Sequence, residues 1–592
     1  MKRLLPLFLA LAIALCATAC RPGGEETGLV PSTATVHPQT PEEYAAAEAE
    51  IRRAIGLLID RNYIARHIAR GGEIPAASFV ADGMADTAGG NFAHNAGQGN
   101  GEGYYSVAEQ NYEQNVRQAI DILRKYYDFD GRHFQGVPRL TYIYNTGDNH
   151  KKIAEYLQST LAKYGIRVSL QNQEWATFLS TRNQGDYEVA RHGWTADFTD
   201  PICFLDLWTT DSGNNDVQFG RGAHKDTALY SLDLTNLGYD IQVKNGTWSQ
   251  TYDRLIALIK TCPDPDTRYA LMHRAEDLLM TTGCVTPLYF STDLYLLDPA
   301  VTGVYSIPLG YKYFQNASIG GDNHTLSVCL ASEPDTLDPA KNATADGATL
   351  LVHLFSGLAK WELDKNGKLT IRPDCAESLP EGVQNPDGTV TYTYTLKEGL
   401  TWSDGVPLTA HDFAFAWRRA ADPALGASYG YLYDVVAGYG TDRLAVQALD
   451  DRRLQVTLSA PVAYWNELIA FPTFFPVRRD VVDNPAWATE AATYVGNGPY
   501  TLAQWEHKAS LTLKRNQNHL GGATLQELKV YLSDDANNML TNFRSGAWQM
   551  IDQIPANEIP GLKGSKELVS ASQIGTYFLC WNVNEPLLPR EK

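Results

Sequence analysis

The chain has 592 residues, 44% hydrophobic and 20% charged, with 48 glycines, 29 prolines and a formal charge of −19. That length exceeds the ~100–200 residues of one domain, so two or three domains with sizeable cores are expected, and the composition excludes disorder, collagen-like repeats and a disulfide miniprotein. The acidic balance argues against nucleic acid as a partner, because phosphate neutralisation needs a basic face. Aromatic residues make up 11%, which suits a large ligand cleft and core packing alike.

In chain order, Met1-Lys2-Arg3, the apolar run Leu4 to Leu15, and Ala17-Thr18-Ala19 before Cys20 form a secretory signal. Small residues ending in a cysteine resemble the bacterial lipoprotein box, which implies lipidation at Cys20 and an extracytoplasmic, membrane-tethered protein; an ordinary cleavage site with an incidental cysteine is the alternative. No later stretch reaches the ~18 apolar residues of a membrane span. Residues 21–47 read as a flexible tether. A helix then places Ile51, Ile55 and Leu58 on one face, and Asp60 caps a short helix stopped by Gly71-Gly72.

Leu140 to Tyr144 and Ile166 to Leu170 read as parallel strands around a helix, His150 to Tyr164, stopped by Gly165. Helices are also expected near Tyr252 to Lys260 and Thr267 to Met280. Beyond Gly320-Gly321 the texture turns toward β structure. Thr389 to Leu396 alternates strictly after an Asp387-Gly388 turn, and Asp412 to Ala421 is a short helix. The chain is thus α/β, then α+β, with a divide near residues 300 to 325.

No catalytic constellation emerges. Gly426-Ala-Ser428-Tyr-Gly430 fits G-x-S-x-G, but a nucleophile elbow needs a strand leading into it, and Asp422-Pro423 stands there. The EF-hand-like start at Glu362 to Gly367 lacks its glutamate, since Pro373 occupies that position. The six cysteines after the signal show no metal-ligand spacing, and no disulfide pairing is assigned. Neither a metal nor another cofactor is expected. A different feature stands out in Asp186-Tyr-Glu-Val-Ala-Arg-His-Gly-Trp-Thr-Ala-Asp197-Phe-Thr-Asp-Pro201, which runs from a strand into a loop. Asp197, between Trp194 and Phe198, is placed either to hold an ammonium group or simply to form the turn before Asp200-Pro201.

Several blocks resemble the bacterial oligopeptide-binding proteins, the extracytoplasmic receptors of peptide ABC importers. Residues Arg139 to Ile319 resemble that family's C-terminal half, through Asn172-Gln-Glu-Trp175, the Asp197 run, Ser212-Gly-Asn-Asn215 and Gly310-Tyr-Lys-Tyr-Phe314. Leu326 onward resembles its beginning, through Glu333-Pro-Asp-Thr-Leu-Asp-Pro339, Leu354-Phe-Ser-Gly-Leu358, Trp402 to Phe413 and Gly496-Asn-Gly-Pro-Tyr500. The halves are therefore in reverse order. The segment Gly575 to Pro586 is one the family continues into a helix ending Ile-Asp-Arg, and that continuation stands at Ile51 to Arg61.

The resemblance implies a circularly permuted, two-lobed α/β fold of the periplasmic-binding-protein type (type II, the large oligopeptide-binding class). Lobe II would span 48–300, the hinge crossing and joint 301–325, and lobe I 326–592, ending in a hinge strand. It implies a monomeric receptor, not an enzyme, that closes on an extended peptide and delivers it to membrane permease subunits. Asp197 would take the peptide ammonium. Arg191, Gly193 and Thr195 would pair with the ligand backbone, and Arg191 would also meet a carboxylate. Asn342 and Ala343 would face the ligand's other edge, Trp175 and Tyr429 would line side-chain pockets, and Arg182 and His150 are further carboxylate partners.

Overall fold

A computed structural model describes residues 29–97, 102–227, 234–239, 246–321 and 324–590; the signal sequence and Cys20 lie outside them. Order begins earlier than the expected tether end. Ser32 pairs with Phe129 through its backbone at 2.9 Å, and helix α1 (Pro41–Leu57) starts inside 21–47. The reason is local: Thr40 and Glu43 form a reciprocal capping box, with Pro41 at the first helical position. Ile51, Ile55 and Leu58 are buried as their spacing requires. Asp60 caps the next short helix through Tyr63 N. That helix ends at Arg70, with φ +64°, rather than at the glycines.

The parallel unit forms as its periodicity indicates. Strand β1 (Leu140–Asn145) leads to α2 (Asp148–Ala162), whose Ile153, Leu157 and Leu161 are buried, and then to β2 (Val168–Gln173). Gly165 makes the turn between them at φ +84°, a conformation that favours glycine. Next come α3 (Trp175–Gln184), β3 (Val189–Thr195), α4 (Trp248–Thr261), α5 (Pro265–Thr281) and β4 (Val285–Leu297). Then follow β5 (Thr325–Leu330), α6 (Ala345–Leu354), α7 (Ala410–Ala421), β6 (Tyr500–Glu506), β7 (Ser510–Arg515), β8 (Glu527–Leu532), β9 (Met550–Ile551) and β10 (Leu568–Trp581).

These strands form one continuous sheet, in the order β6-β7-β8-β5-β9-β4-β10-β3-β1-β2. The two longest strands, β4 and β10, lie antiparallel at its centre and join a β5–β9 side to a β1–β3 side. Their ladder is broken twice: Ser572 faces Thr292 and Thr576 faces Phe290, so β10 carries extra residues there, and Tyr577 faces Tyr289 while Phe578 faces Pro287, so β4 carries one. Ile574, in the β10 bulge, pairs elsewhere. Its N–H donates to Pro308 O at 2.9 Å, and its carbonyl accepts from Ala196 N at 2.8 Å.

A separate four-stranded sheet contains Val390–Thr395 and Arg453–Leu458, with α7 packed on it. Its core is aromatic, and two of its buried indole N–H groups are satisfied: Trp417 donates to Phe474 O at 2.8 Å and Trp465 to Tyr394 Oη at 2.7 Å. The end of the described chain lies against α1. Leu587 N–H donates to Glu48 Oε1 at 3.1 Å, and Tyr44 Oη donates to Pro589 O at 3.2 Å.

Candidate functional site

The site grows out of β3. Side chains alternate along a strand, so Ala190, His192 and Trp194 are buried, while Arg191, Gly193 and Thr195 face the other way. The inward set is locked: Trp194 Nε1 donates to Cys203 O at 2.9 Å and His192 stacks on Phe578. One edge of β3 pairs with β10 along its whole length. On the other edge β1 pairs only with Val189 and Ala190. Residues 191–195 thus keep one backbone edge without a strand partner among the described residues. Thr195 lies close to Gly310 and Ala345: a Cβ added at Gly310 would lie 3.1 Å from Thr195 Cγ2 and 3.7 Å from Ala345 Cβ.

Asp197 lies just past the strand and is only 5% exposed. Tyr429 Oη donates to its Oδ1 at 3.0 Å, while Oδ2 is buried with no partner. Burial pushes this carboxyl well above the usual range; the Tyr429 hydrogen bond opposes the shift and nearby Asp206 adds to it. No Lys, Arg or His pairs with it among the described residues. The hydroxyl of buried Tyr311 also lacks a partner, and burial pushes its pKa above the ordinary phenol range, with Asp197 and Glu467 adding. A desolvated carboxylate without a counter-charge, ringed by hydroxyls, is suited to an ammonium group.

Around Asp197 the β1–β3 side touches the β5–β9 side directly. Thr199 donates to Glu467 from N and Oγ1 at 2.6 and 2.7 Å. Lys260 Nζ bridges Asp206 at 2.9 Å and Asp434 at 2.6 Å. Phe198 stacks on Tyr464, and Asn214 Nδ2 donates to Ser428 O at 3.3 Å. Ser428 thus lies in this contact, between short helical turns at Pro423–Leu425 and Gly430–Val435, with no strand entering.

At the other end of the free edge, Arg191 lies over the Tyr577 ring at 5.1 Å, and His150 Nδ1 is 3.1 Å from Tyr577 Oη. Arg191 has no acidic partner among the described residues, and its Nε is buried without an acceptor. Burial, then the neighbouring Arg191 charge, hold His150 well below the ordinary imidazole range. Tyr289 stacks on Tyr577, and Tyr142 Oη is buried without a partner.

Two expected contacts are otherwise engaged. Arg182 is paired with Asp216 at 2.6 Å, and His192 Nε2 lies 3.0 Å from the same oxygen. Its charge is therefore already compensated by Asp216. Asn342 spends its side chain ahead of α6, accepting from Thr344 N and donating to Thr344 O, while Ala343 remains exposed. Trp175 stacks near Phe178, with an unpartnered Nε1. Sequence reasoning missed Glu467, Lys260 and Asp434, since each acts across the two sides, while Tyr311 and Tyr577 lay in quoted blocks without being singled out.

Among the described residues the six cysteines are buried free thiols. No group of three or more His, Cys, Asp or Glu side chains there is placed to hold a metal. No helix there is long and apolar enough to cross a membrane.

Residues 25–216 and 370–591 match the bacterial extracellular solute-binding proteins, family 5 Middle. The chain is 33% identical over 270 residues to the dipeptide-binding protein DppE of Bacillus subtilis, covering 44% of this chain and 48% of that one. It is 34% identical over 275 residues to the periplasmic oligopeptide-binding protein OppA of Salmonella typhimurium, with the same two shares. It is 32% identical over 271 residues to a probable deoxycholate-binding periplasmic protein, YgiS, of Escherichia coli, covering 43% and 49%. The chain thus spans about half the length of these relatives. Among solved structures, Burkholderia pseudomallei OppA is 28% identical, covering 41% of this chain and 48% of that one, with a TM-score of 0.38. With more than half of its residues matching the family, the chain belongs to the bacterial extracellular solute-binding proteins, family 5.

Proposed function

We propose that this protein is the extracytoplasmic receptor of an ABC importer, capturing short peptides between two lobes and handing them to membrane permease subunits. The observation that carries the reading is the buried Asp197 carboxylate with an unpartnered oxygen, set beside an unpaired strand edge. An extended peptide adds to that edge, giving affinity through backbone groups that every sequence shares. Its ammonium meets Asp197, and its carboxylate meets Arg191, with His150 alongside. Six strand steps separate Arg191 from Asp197, at most ~20 Å at ~3.3 Å per residue, which sets a ceiling of about six ligand residues. Trp175 and Tyr429 flank the path.

We infer also that the chain is a circular permutant, with lobe II over 48–300, the crossing at 301–325 and lobe I over 326–592. Two observations support this. A collinear alignment reaches only 44% of the chain and 48% of a relative, as a reversed order of halves would produce. The segment Leu587–Arg590 packs on α1 through Glu48 and Tyr44, where the family's chain would run on. Lipidation at Cys20 would tether the monomer to the membrane.

Mass spectrometry of ligands co-purified with the protein, followed by calorimetry with those ligands, tests the receptor reading. Short peptides with free termini are expected. Recovery of a steroid, a sugar or no solute, with no heat from a mixed peptide library, overturns it.

A further inference from the structure

A partly open cavity of about 80 Å3 lies within the β5–β9 side, away from Asp197 and Arg191. Four stretches of chain converge on it. They bring Lys360 from the strand Ala359–Leu363, Asp374 beyond the strand Leu369–Pro373, Lys397 beyond Val390–Thr395, and Asn518 and His519 from the turn after β7.

The polar walls have largely spent their hydrogen bonds on one another. Asn497 Nδ2 donates to Ser356 O at 2.9 Å, Thr401 Oγ1 to Asn518 O at 3.1 Å, and Asn518 Nδ2 to Ser403 O at 3.0 Å. His519 Nε2 lies 3.1 Å from Ser356 Oγ. The two ammonium groups are different. Lys360 Nζ is 3.7 Å from Asp374, an ion pair too long for a hydrogen bond, and Lys397 has no acidic partner among the described residues. Two positive charges therefore share one carboxylate around a partly open space, in a protein whose net charge is −19. Their field is felt nearby: burial holds His519 below the ordinary imidazole range, with Asp374 opposing and both lysines adding.

We infer that this cavity is a binding site for a small oxyanion, gripped by Lys360 and Lys397. Ammonium groups present several donors around a compact charge, which suits a phosphate-, sulfate- or carboxylate-type oxyanion. The space takes a few waters or one such ion, and it is far below the ~300–1,000 Å3 of drug-sized ligand pockets. Leu400 and Leu408 close it on the apolar side. The strands carrying Lys360 and leading to Asp374 are already paired, and Lys397 N–H donates to Cys375 O beside them; the bound ion would tie these segments to the turn after β7 and so stabilise this part of the molecule.

The test is titration calorimetry and thermal unfolding of the mature full-length chain in inorganic phosphate, sulfate and acetate, each against chloride at constant ionic strength. A saturable rise in Tm over chloride is expected for one or more of the three. Binding should weaken about tenfold in K397Q, the loss of one charge-assisted hydrogen bond. K397R, which keeps the charge, should restore binding and serves where K397Q folds poorly. Peptide affinity should be the same in all variants, so the result is independent of the receptor reading. An equal Tm shift in wild type and K397Q, or none above chloride with any oxyanion, overturns the inference.

Discussion

The substitution Asp197→Asn tests the core of the proposed binding site with the least collateral change. It is isosteric, and the new carboxamide oxygen still accepts the Tyr429 hydroxyl that now lies 3.0 Å from Oδ1. What disappears is the charge and the acceptor strength of the unpartnered Oδ2. An ammonium about 3 Å from a carboxylate gains roughly 5 kcal/mol at an effective dielectric of about 20, before desolvation is subtracted. The net loss on substitution is therefore about 2–5 kcal/mol, or roughly 30- to 5,000-fold in Kd. Calorimetry with a free tripeptide and its N-acetylated form closes a cycle. Wild type should lose affinity on acetylation, whereas Asp197→Asn should lose little more. Wild-type affinity in the variant, or penalties that simply add, would refute the assignment.

Arg191→Met should weaken peptides with a free carboxylate by about 1.5–3 kcal/mol and leave C-amidated peptides unchanged; equal losses for both would remove Arg191 from carboxylate recognition. Asp434→Asn breaks the Lys260 bridge across the two sides but leaves Lys260 paired with Asp206, so peptide release should quicken about 5- to 30-fold in stopped flow, for about 1–2 kcal/mol, with Tm little changed. His353 is fixed as a neutral imidazole, its Nδ1 donating to Thr349 O and its Nε2 accepting from Phe314 N, and burial lowers its pKa to about 4. Because the folded value lies below the unfolded one, its contribution is complete above about pH 6.5 and is lost as pH falls toward 4. Urea unfolding should show wild type losing about 2–3 kcal/mol more than His353→Gln between pH 7 and 4.5.

Local structure was legible wherever one period or one punctuating residue decided it. The apolar stripe Ile153, Leu157, Leu161 and the stop at Gly165 predicted α2 and its turn. The box at Thr40 and Glu43 was equally local and was overlooked because the surrounding composition reads as a linker. Composition divides the chain near residue 320, yet the sheet crosses that divide through β4 and β10, and strand alternation carries no mark of which distant strand will pair. The site divides the same way. Asp197 was visible as a charged residue just past a strand, between two aromatics. Its partner Tyr429 is 232 positions away, and nothing in the spacing announces the contact. Arg182 looked available because Asp216, which neutralises it, comes from a different segment brought close only by the fold.

The bulge in β10 has a mechanical meaning. Ile574, released from β4, is hydrogen-bonded to Ala196, the residue beside Asp197, and to Pro308 of the crossing between the two sides. Under the proposed two-lobed closure, the carboxylate would therefore be mounted near the pivot, not on a swinging jaw. For a given rotation, displacement grows with distance from the axis, so Asp197 would move little while Tyr429 and Glu467 swept through a longer arc. In that reading a ligand would find the same anchor point at every degree of opening, and closure would consist of the far wall arriving to seal it.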